Sequence, residues 1–353
     1  MGKKNRAIKN KKVDSRTKSS KRNLVIAIIA ILAIGVVGVG AYMTTASPNK
    51  EAIGTGQENG NQNVTGKWMD IHGVGVFTAG KDNSLYLATH NGLFKKGNGN
   101  SSSGWVEVGK DKSDLMGFTI NPSKEGTMYS SGHPQPGGNL GFRVSTDYGA
   151  TWQKVSDVTN PPIDFHAMTM GKNPETIYGS SGMGDIIYKT QNEGKTWTGV
   201  SPPNRERTIT LEANQTDSKI LYTSTASGLF SSVDQGNSWQ KINTGLVGDG
   251  AVVTGLGTSS DNGKIAYAFV IPSQGEDGYI IKSVDGAKTW AKTDGQINGA
   301  KYLGKFAFGE NGEVYATVNQ ETPNGAASSV YSTTDEGKTW LLEGTNKQQK
   351  TNT

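Results

Sequence analysis

The 353-residue chain has four histidines, and two of them close the same phrase, Asp70-Ile71-His72 and Asp164-Phe165-His166. Between these stands a third version, Asp114-Leu115-Met116, with methionine in the histidine's place. The remaining two, His90 and His133, follow the first and second phrases downstream, and Met183 holds the matching place after the third. Beyond Met183 there is neither His nor Met. Imidazole with thioether suits copper, and imidazole with carboxylate suits zinc. His72, His90, His133 and His166 are therefore candidate metal ligands and, with Met116 and Met183, a candidate ligand-binding rim. Asp70, Asp114 and Asp164 are also candidate catalytic carboxylates, since glycoside hydrolysis needs two carboxyl groups about 5–9.5 Å apart. Against a metal stands the lack of any tight His-x-His or His-x3-His spacing. Asp at a strand entry also serves as a turn cap, with His or Met simply packed beside it.

The elements that position these residues follow from an eight-residue phrase that recurs along the chain. It reads Ser145-Thr-Asp147-Tyr-Gly149-Ala-Thr151-Trp152, and returns ending at Trp197, Trp239, Trp290 and Trp340 with Asn192, Asp234, Asp285 and Asp335 in the aspartate position. A worn copy ends at Trp105, so successive tryptophans lie 47, 45, 42, 51 and 50 residues apart. Such a period, with about four short strands per unit, is that of a propeller blade. The hydroxyl and carboxylate close a tight turn on backbone N–H groups, glycine supplies the positive φ, and the tryptophan buries its ring between blades. In the fourth copy Gly286 comes one place early and Ala287 takes the glycine position. The expected fold is all-β, a six-bladed propeller over 67–345; a seventh blade would need Trp68 to mark part of another unit. Strands alternate direction within a blade, so the start of each inner strand and the turn between second and third strands share one face. All four histidines fall there, opposite the repeated turns.

The phrase resembles the Asp-box, or BNR, repeat of sialidases, sortilin-type receptors, some xyloglucanases and photosystem assembly-factor propellers. The resemblance covers roughly 67–345 and implies that the boxes are fold elements rather than chemistry. It also raises sialidase activity, which in that family holds the substrate carboxylate with three arginines from separate blades. Within the propeller only Arg143, Arg205 and Arg207 are present, two of them on one strand entry, and the family's Arg-Ile-Pro phrase is missing. Sialidase chemistry is excluded on that ground.

The formal charge of +5 is misleading, because residues 1–22 hold ten Lys/Arg against one acid, or +9. The remainder therefore has 26 basic against 30 acidic residues, or −4, so nucleic acid is not an expected partner. Leu24 to Tyr42 is uncharged and long enough to span a bilayer. The basic segment before it places the N-terminus in the cytoplasm and the propeller outside. The expected order is a basic cytoplasmic segment (1–22), a transmembrane signal-anchor helix (23–45), a flexible linker (46–66), the propeller, and a disordered tail (346–353). Cleavage near Thr44-Thr45-Ala46 would instead release a secreted protein. With no cysteine there is neither a lipidation site nor a disulfide. The reading is a membrane-tethered extracytoplasmic module that binds a protein, peptide or glycan, metal-dependent if the His/Met/Asp set takes copper or zinc. Glycoside hydrolysis is the alternative.

Overall fold

Runs such as Leu85–Thr89 and Ala266–Ile271 are buried along almost their whole length, as a strand must be when sheets cover both of its faces. The computed structural model describes residues 67–346, apart from 79, 81, 97–103, 136, 183–184, 274–276 and 323–324. Six four-stranded sheets are present among these residues, each made of four consecutive strands in sequence order and paired antiparallel throughout. Blade 1 runs from Ile71 to Val108, blade 2 from Asp114 to Ser156 and blade 3 from Phe165 to Val200. Blade 4 spans Thr210 to Lys241, blade 5 Val252 to Lys292 and blade 6 Ala300 to Thr345. This is a six-bladed β-propeller. The segments 1–22, 23–45 and 46–66 lie outside the described residues, as does 347–353. Among the described residues no helix is long and apolar enough to cross a membrane.

Because every blade is built from one continuous stretch, no sheet is shared between the two ends of the chain. The ring closes through side chains instead. Trp68 is 3% exposed and packs with Ile71, Val74, Leu87 and Phe94 of blade 1 against Ala307 and Val330 of blade 6. Its indole N–H donates to the Ser328 carbonyl at 3.1 Å, and the Ile71 N–H donates to the Ser328 hydroxyl at 3.0 Å. Trp105 meets Trp68 edge-on at 5.0 Å and donates to the Glu343 carbonyl. Gly344 leaves room for both rings, since a Cβ there would lie 2.3 Å from Trp105 and 2.8 Å from Trp68. Asn346 completes the join by donating to the Met69 carbonyl. Trp68 thus seals blade 6 to blade 1 and does not begin a seventh.

The repeated turns have one geometry in all five copies. The hydroxyl of Ser145, Thr190, Ser232, Ser283 or Thr333 accepts the N–H four residues on at 2.8–3.1 Å. The carboxylate or amide two places later accepts the N–H of its own fourth neighbour at 2.9–3.0 Å. The first of these bonds is buried and the second is exposed. The hydroxyl therefore guards the donor that would otherwise be orphaned. Two consecutive left-handed residues make each reversal, and the fourth copy forms it with the order exchanged, Gly286 at φ 78° and Ala287 at φ 63°. Each tryptophan stands one residue ahead of the outer strand. Trp197 is typical, lying edge-on to Phe142 of the preceding blade at 5.0 Å and donating to Ser156 of that blade.

Replacing Trp68 by Ala is expected to cost about 3–5 kcal/mol, read as a lower urea midpoint of the purified protein. Ser145→Ala is expected to destabilise by about 1–3 kcal/mol through the unpaired buried N–H, and Asp147→Ala by clearly less. Hydrogen bonds from Ser238 hold the Asp234 carboxyl at about 2. Its contribution is therefore full above the ordinary value of about 4 and is lost as pH falls through about 2. Asp234→Asn should lower stability at neutral pH and flatten the acid limb of the stability profile below about pH 4.

Candidate functional site

Where the inner strands of blades 1–3 begin, the chain places a β-bulge each time. His72 is the extra residue between Ile71 and Gly73 in the inner strand of blade 1, and His166 is the extra residue between Phe165 and Ala167 in that of blade 3. In blade 2 the irregularity falls between Asp114 and Gly117. A bulge re-aims the side chain it carries, here toward the neighbouring blade. Close seams bring the partners within reach. A Cβ on Gly73 would stand 2.9 Å from Phe118 of blade 2, and one on Gly117 2.7 Å from the Phe165 carbonyl of blade 3.

The result is two clusters. In the first, Asp114 of blade 2 faces two histidines of blade 1: Oδ2 is 2.8 Å from His90 Nδ1, and Oδ1 is 3.1 Å from His72 Nε2. His90 sits in the short turn between second and third strands, fixed by its N–H to the Asp70 carbonyl at 2.9 Å. In the second, Asp164 Oδ2 receives both His133 Nε2 of blade 2 at 2.9 Å and His166 Nε2 of its own blade at 2.7 Å. Asp114 and His133 are paired residues in one sheet, so the clusters adjoin. Both carboxylates are deeply buried, Asp114 at 4% and Asp164 at 7% exposure, while the imidazoles are part-exposed.

Burial works against ionisation of Asp164, but hydrogen bonds from His133 and His166 outweigh it and hold the carboxyl below its usual value. The bond to Asp164 pushes His133 up to about 9 against the effect of burial, aided by the Gly138 carbonyl 2.7 Å from Nδ1. Each cluster sets two imidazole nitrogens and a carboxylate oxygen within 4.8 Å of one another, the donors a cation would need. The Asp164 carboxyl is poorly suited to supply a proton to a leaving group, because a general acid needs its carboxyl raised and this one moves the other way.

All four histidines and two of the three candidate aspartates are thus brought together. Asp70 belongs to neither cluster. Met116 is 6% exposed, packed at the bulge of blade 2, and Met183 lies outside the described residues. Of the two Asp-x-His phrases, only Asp164 and His166 are in contact with each other. Asp114 instead binds across a seam.

A second polar feature lies on the ring axis, toward the repeated-turn side, and the sequence reading misses it. Glu212 of blade 4 is 3% exposed and accepts from Thr169 of blade 3 and from the Thr258 N–H of blade 5. Lys305 of blade 6 stands 3.7 Å from it and donates to the Met168 carbonyl at 2.8 Å. They line a cavity of about 70 Å³. Burial raises the Glu212 carboxyl and lowers the Lys305 ammonium, each opposed by the other's charge. One signal was available, a charged residue inside the otherwise apolar run Leu303 to Phe308. This pair ties four blades together and leaves no free group for chemistry.

The Sortilin-Vps10 family model (sortilin, neurotensin receptor 3) matches residues 141–249. No curated protein matches the chain. Among solved structures, the GH74 enzyme of Niastella koreensis is 18% identical with a TM-score of 0.57, covering 79% of this chain and 46% of its own. The GH74 xyloglucanase of Xanthomonas campestris is 14% identical with a TM-score of 0.54, covering 80% and 46%. YCF48 from Cyanidioschyzon merolae is 14% identical with a TM-score of 0.40, covering 65% and 84%. The chain spans less than half the length of either GH74 enzyme, and the likeness is one of fold. The sortilin match is confined to residues 141–249, and what is shared with the GH74 structures is the β-propeller fold.

Glu212→Ala leaves Lys305 buried without its counter-charge and is expected to destabilise by about 3–5 kcal/mol. The double variant Glu212→Gln with Lys305→Met is expected to recover most of that in the same urea titration.

Proposed function

We propose that this protein is a membrane-anchored Asp-box propeller that works outside the cytoplasm as a binding module. It presents the rim of blades 1–3 to a protein or peptide. The observation that carries the reading is the gathering of four histidines and two buried carboxylates on one rim of a closed disc, on the face opposite the repeated turns. The rim is set on bulged strand starts and braced by close blade seams, so its groups are held in place before any ligand arrives, which lowers the ordering cost of binding. The basic segment 1–22 and the apolar stretch 23–45 support attachment with the N-terminus in the cytoplasm. A glycan is the other ligand class this rim suits. Glycoside hydrolysis is less well supported, because Asp114 and Asp164 are deeply buried behind the imidazoles and present little carboxylate surface to a substrate.

Site-directed photo-crosslinking in intact cells tests the reading. A crosslinker at Asn91 or Asn139, beside the rim, is expected to capture one discrete partner, and one at Lys195 or Asn237, on the repeated turns, none. Equal capture from both faces, or capture from the turns alone, would overturn the choice of rim. Protease added to intact cells is expected to remove the propeller; its protection would overturn the location.

A further inference from the structure

We infer that the rim carries two adjacent divalent-cation sites, His72–His90–Asp114 and His133–His166–Asp164, each taking zinc with one coordination position left to an outside ligand. The inference concerns the metal alone and stands whether or not the rim also binds a macromolecule.

Each cluster offers two imidazole nitrogens and a carboxylate oxygen, all within 4.8 Å of one another. Three protein ligands of this kind with an open fourth position are the donor set of an accessible zinc site. Hydrogen bonding alone does not account for the arrangement. His72 Nε2 and Asp114 Oδ1 lie 3.1 Å apart, yet both atoms are buried without a hydrogen-bond partner, since they face each other at the wrong angle. Asp164 Oδ1 is also buried and unpartnered. Two carboxylates more than nine-tenths buried, each with an oxygen unspent, occur side by side on this rim. Such groups call for a partner, and one cation per cluster supplies it.

In the second cluster His133 Nδ1 lies 2.7 Å from the Gly138 carbonyl, and Nε2 faces Asp164 Oδ2 2.9 Å away. An imidazole fixed by a backbone carbonyl behind it, with its other nitrogen toward a shared point, is the usual outer-shell support of a metal ligand. Gly182 makes room for this arrangement, because a Cβ there would lie 2.6 Å from the His166 ring.

The spacing fits with little movement. Ligands about 2.1 Å from a tetrahedral zinc are about 3.4 Å apart, and the contacts here are 2.7–3.1 Å. The His–Asp pairs have to open by a few tenths of an ångström, and all donor atoms of a cluster already lie within 4.8 Å of one another. Among the described residues both clusters offer nitrogen and carboxylate oxygen, a donor set that suits zinc better than the thioether-seeking cuprous ion.

The test is zinc uptake by the full-length protein, stripped with chelator and followed by calorimetry and elemental analysis. Two equivalents are expected at micromolar zinc. His90→Ala and His133→Ala should each retain one equivalent, and the double variant none. Asp164→Asn, which preserves shape, should also lose one. Thermal melts of the metal-free proteins separate ligand loss from misfolding: variants that melt with the wild type count, and Asp164→Asn decides where an alanine variant does not fold. Absence of uptake by the wild type, or two equivalents in the folded double variant, would overturn the inference. Neither result would bear on partner capture at the rim.

Discussion

A ring of sheets depends on its last join. Within each blade, and between consecutive blades, the contacts that hold this propeller are comparatively near in sequence. The join between blade 6 and blade 1 is not: Trp68 meets Ser328 across 260 residues, and Met69 meets Asn346 across 277. No shared sheet enforces that meeting. It rests on one buried indole, a second indole set edge-on against it, and a glycine that keeps out of their way. The entropic cost of such a long closure grows only slowly with length, so a compact apolar plug with a few hydrogen bonds suffices. Once the ring is closed, the separation of neighbouring inner strands is fixed all round the disc.

The rim clusters depend on that fixed separation. Asp114 reaches His72 and His90 only because blades 1 and 2 approach to within van der Waals contact at Gly73. His133 reaches Asp164 for the same reason at Gly117. The axial pair uses the constraint differently, with Lys305 reaching across the channel to blades 3 and 4. One face of the disc is therefore tied at its axis and the other at its seams. Both ties use buried charge that would be unfavourable in a structure free to relax.

The architecture was largely legible in the sequence, and the site was only partly so. A tryptophan every 42–51 residues behind a hydroxyl–aspartate–glycine turn specifies repeats, blade number and the face on which the turns lie. The residues of the rim could also be listed, because matched positions in a repeat are matched positions in space. What could not be read was the partner of each. Asp70-Ile-His72 and Asp164-Phe-His166 look alike, yet Asp164 holds its own histidine and Asp70 does not. The difference arises from bulges and from the approach of the next blade, neither of which leaves a mark in a single repeat. The same limit explains the repeated turns. The aspartate is the conspicuous residue, but burial, which sequence does not show, gives the more demanding bond to the serine or threonine before it.

Seams also obey a counting rule. A cluster arises where a repeat with a histidine in its outer turn is followed by one with an aspartate at its inner strand. Three consecutive aspartate-bearing repeats, flanked by repeats lacking these parts, have only two seams between them, and there are two clusters. Asp70 is the fence post left over, facing blade 6, where the chain supplies no histidine. Gene duplication within the run would therefore add one cluster for each repeat gained, without any new residue being invented. A circularly complete set would gain a further one at the join. The capacity of such a rim can thus change in whole steps by recombination.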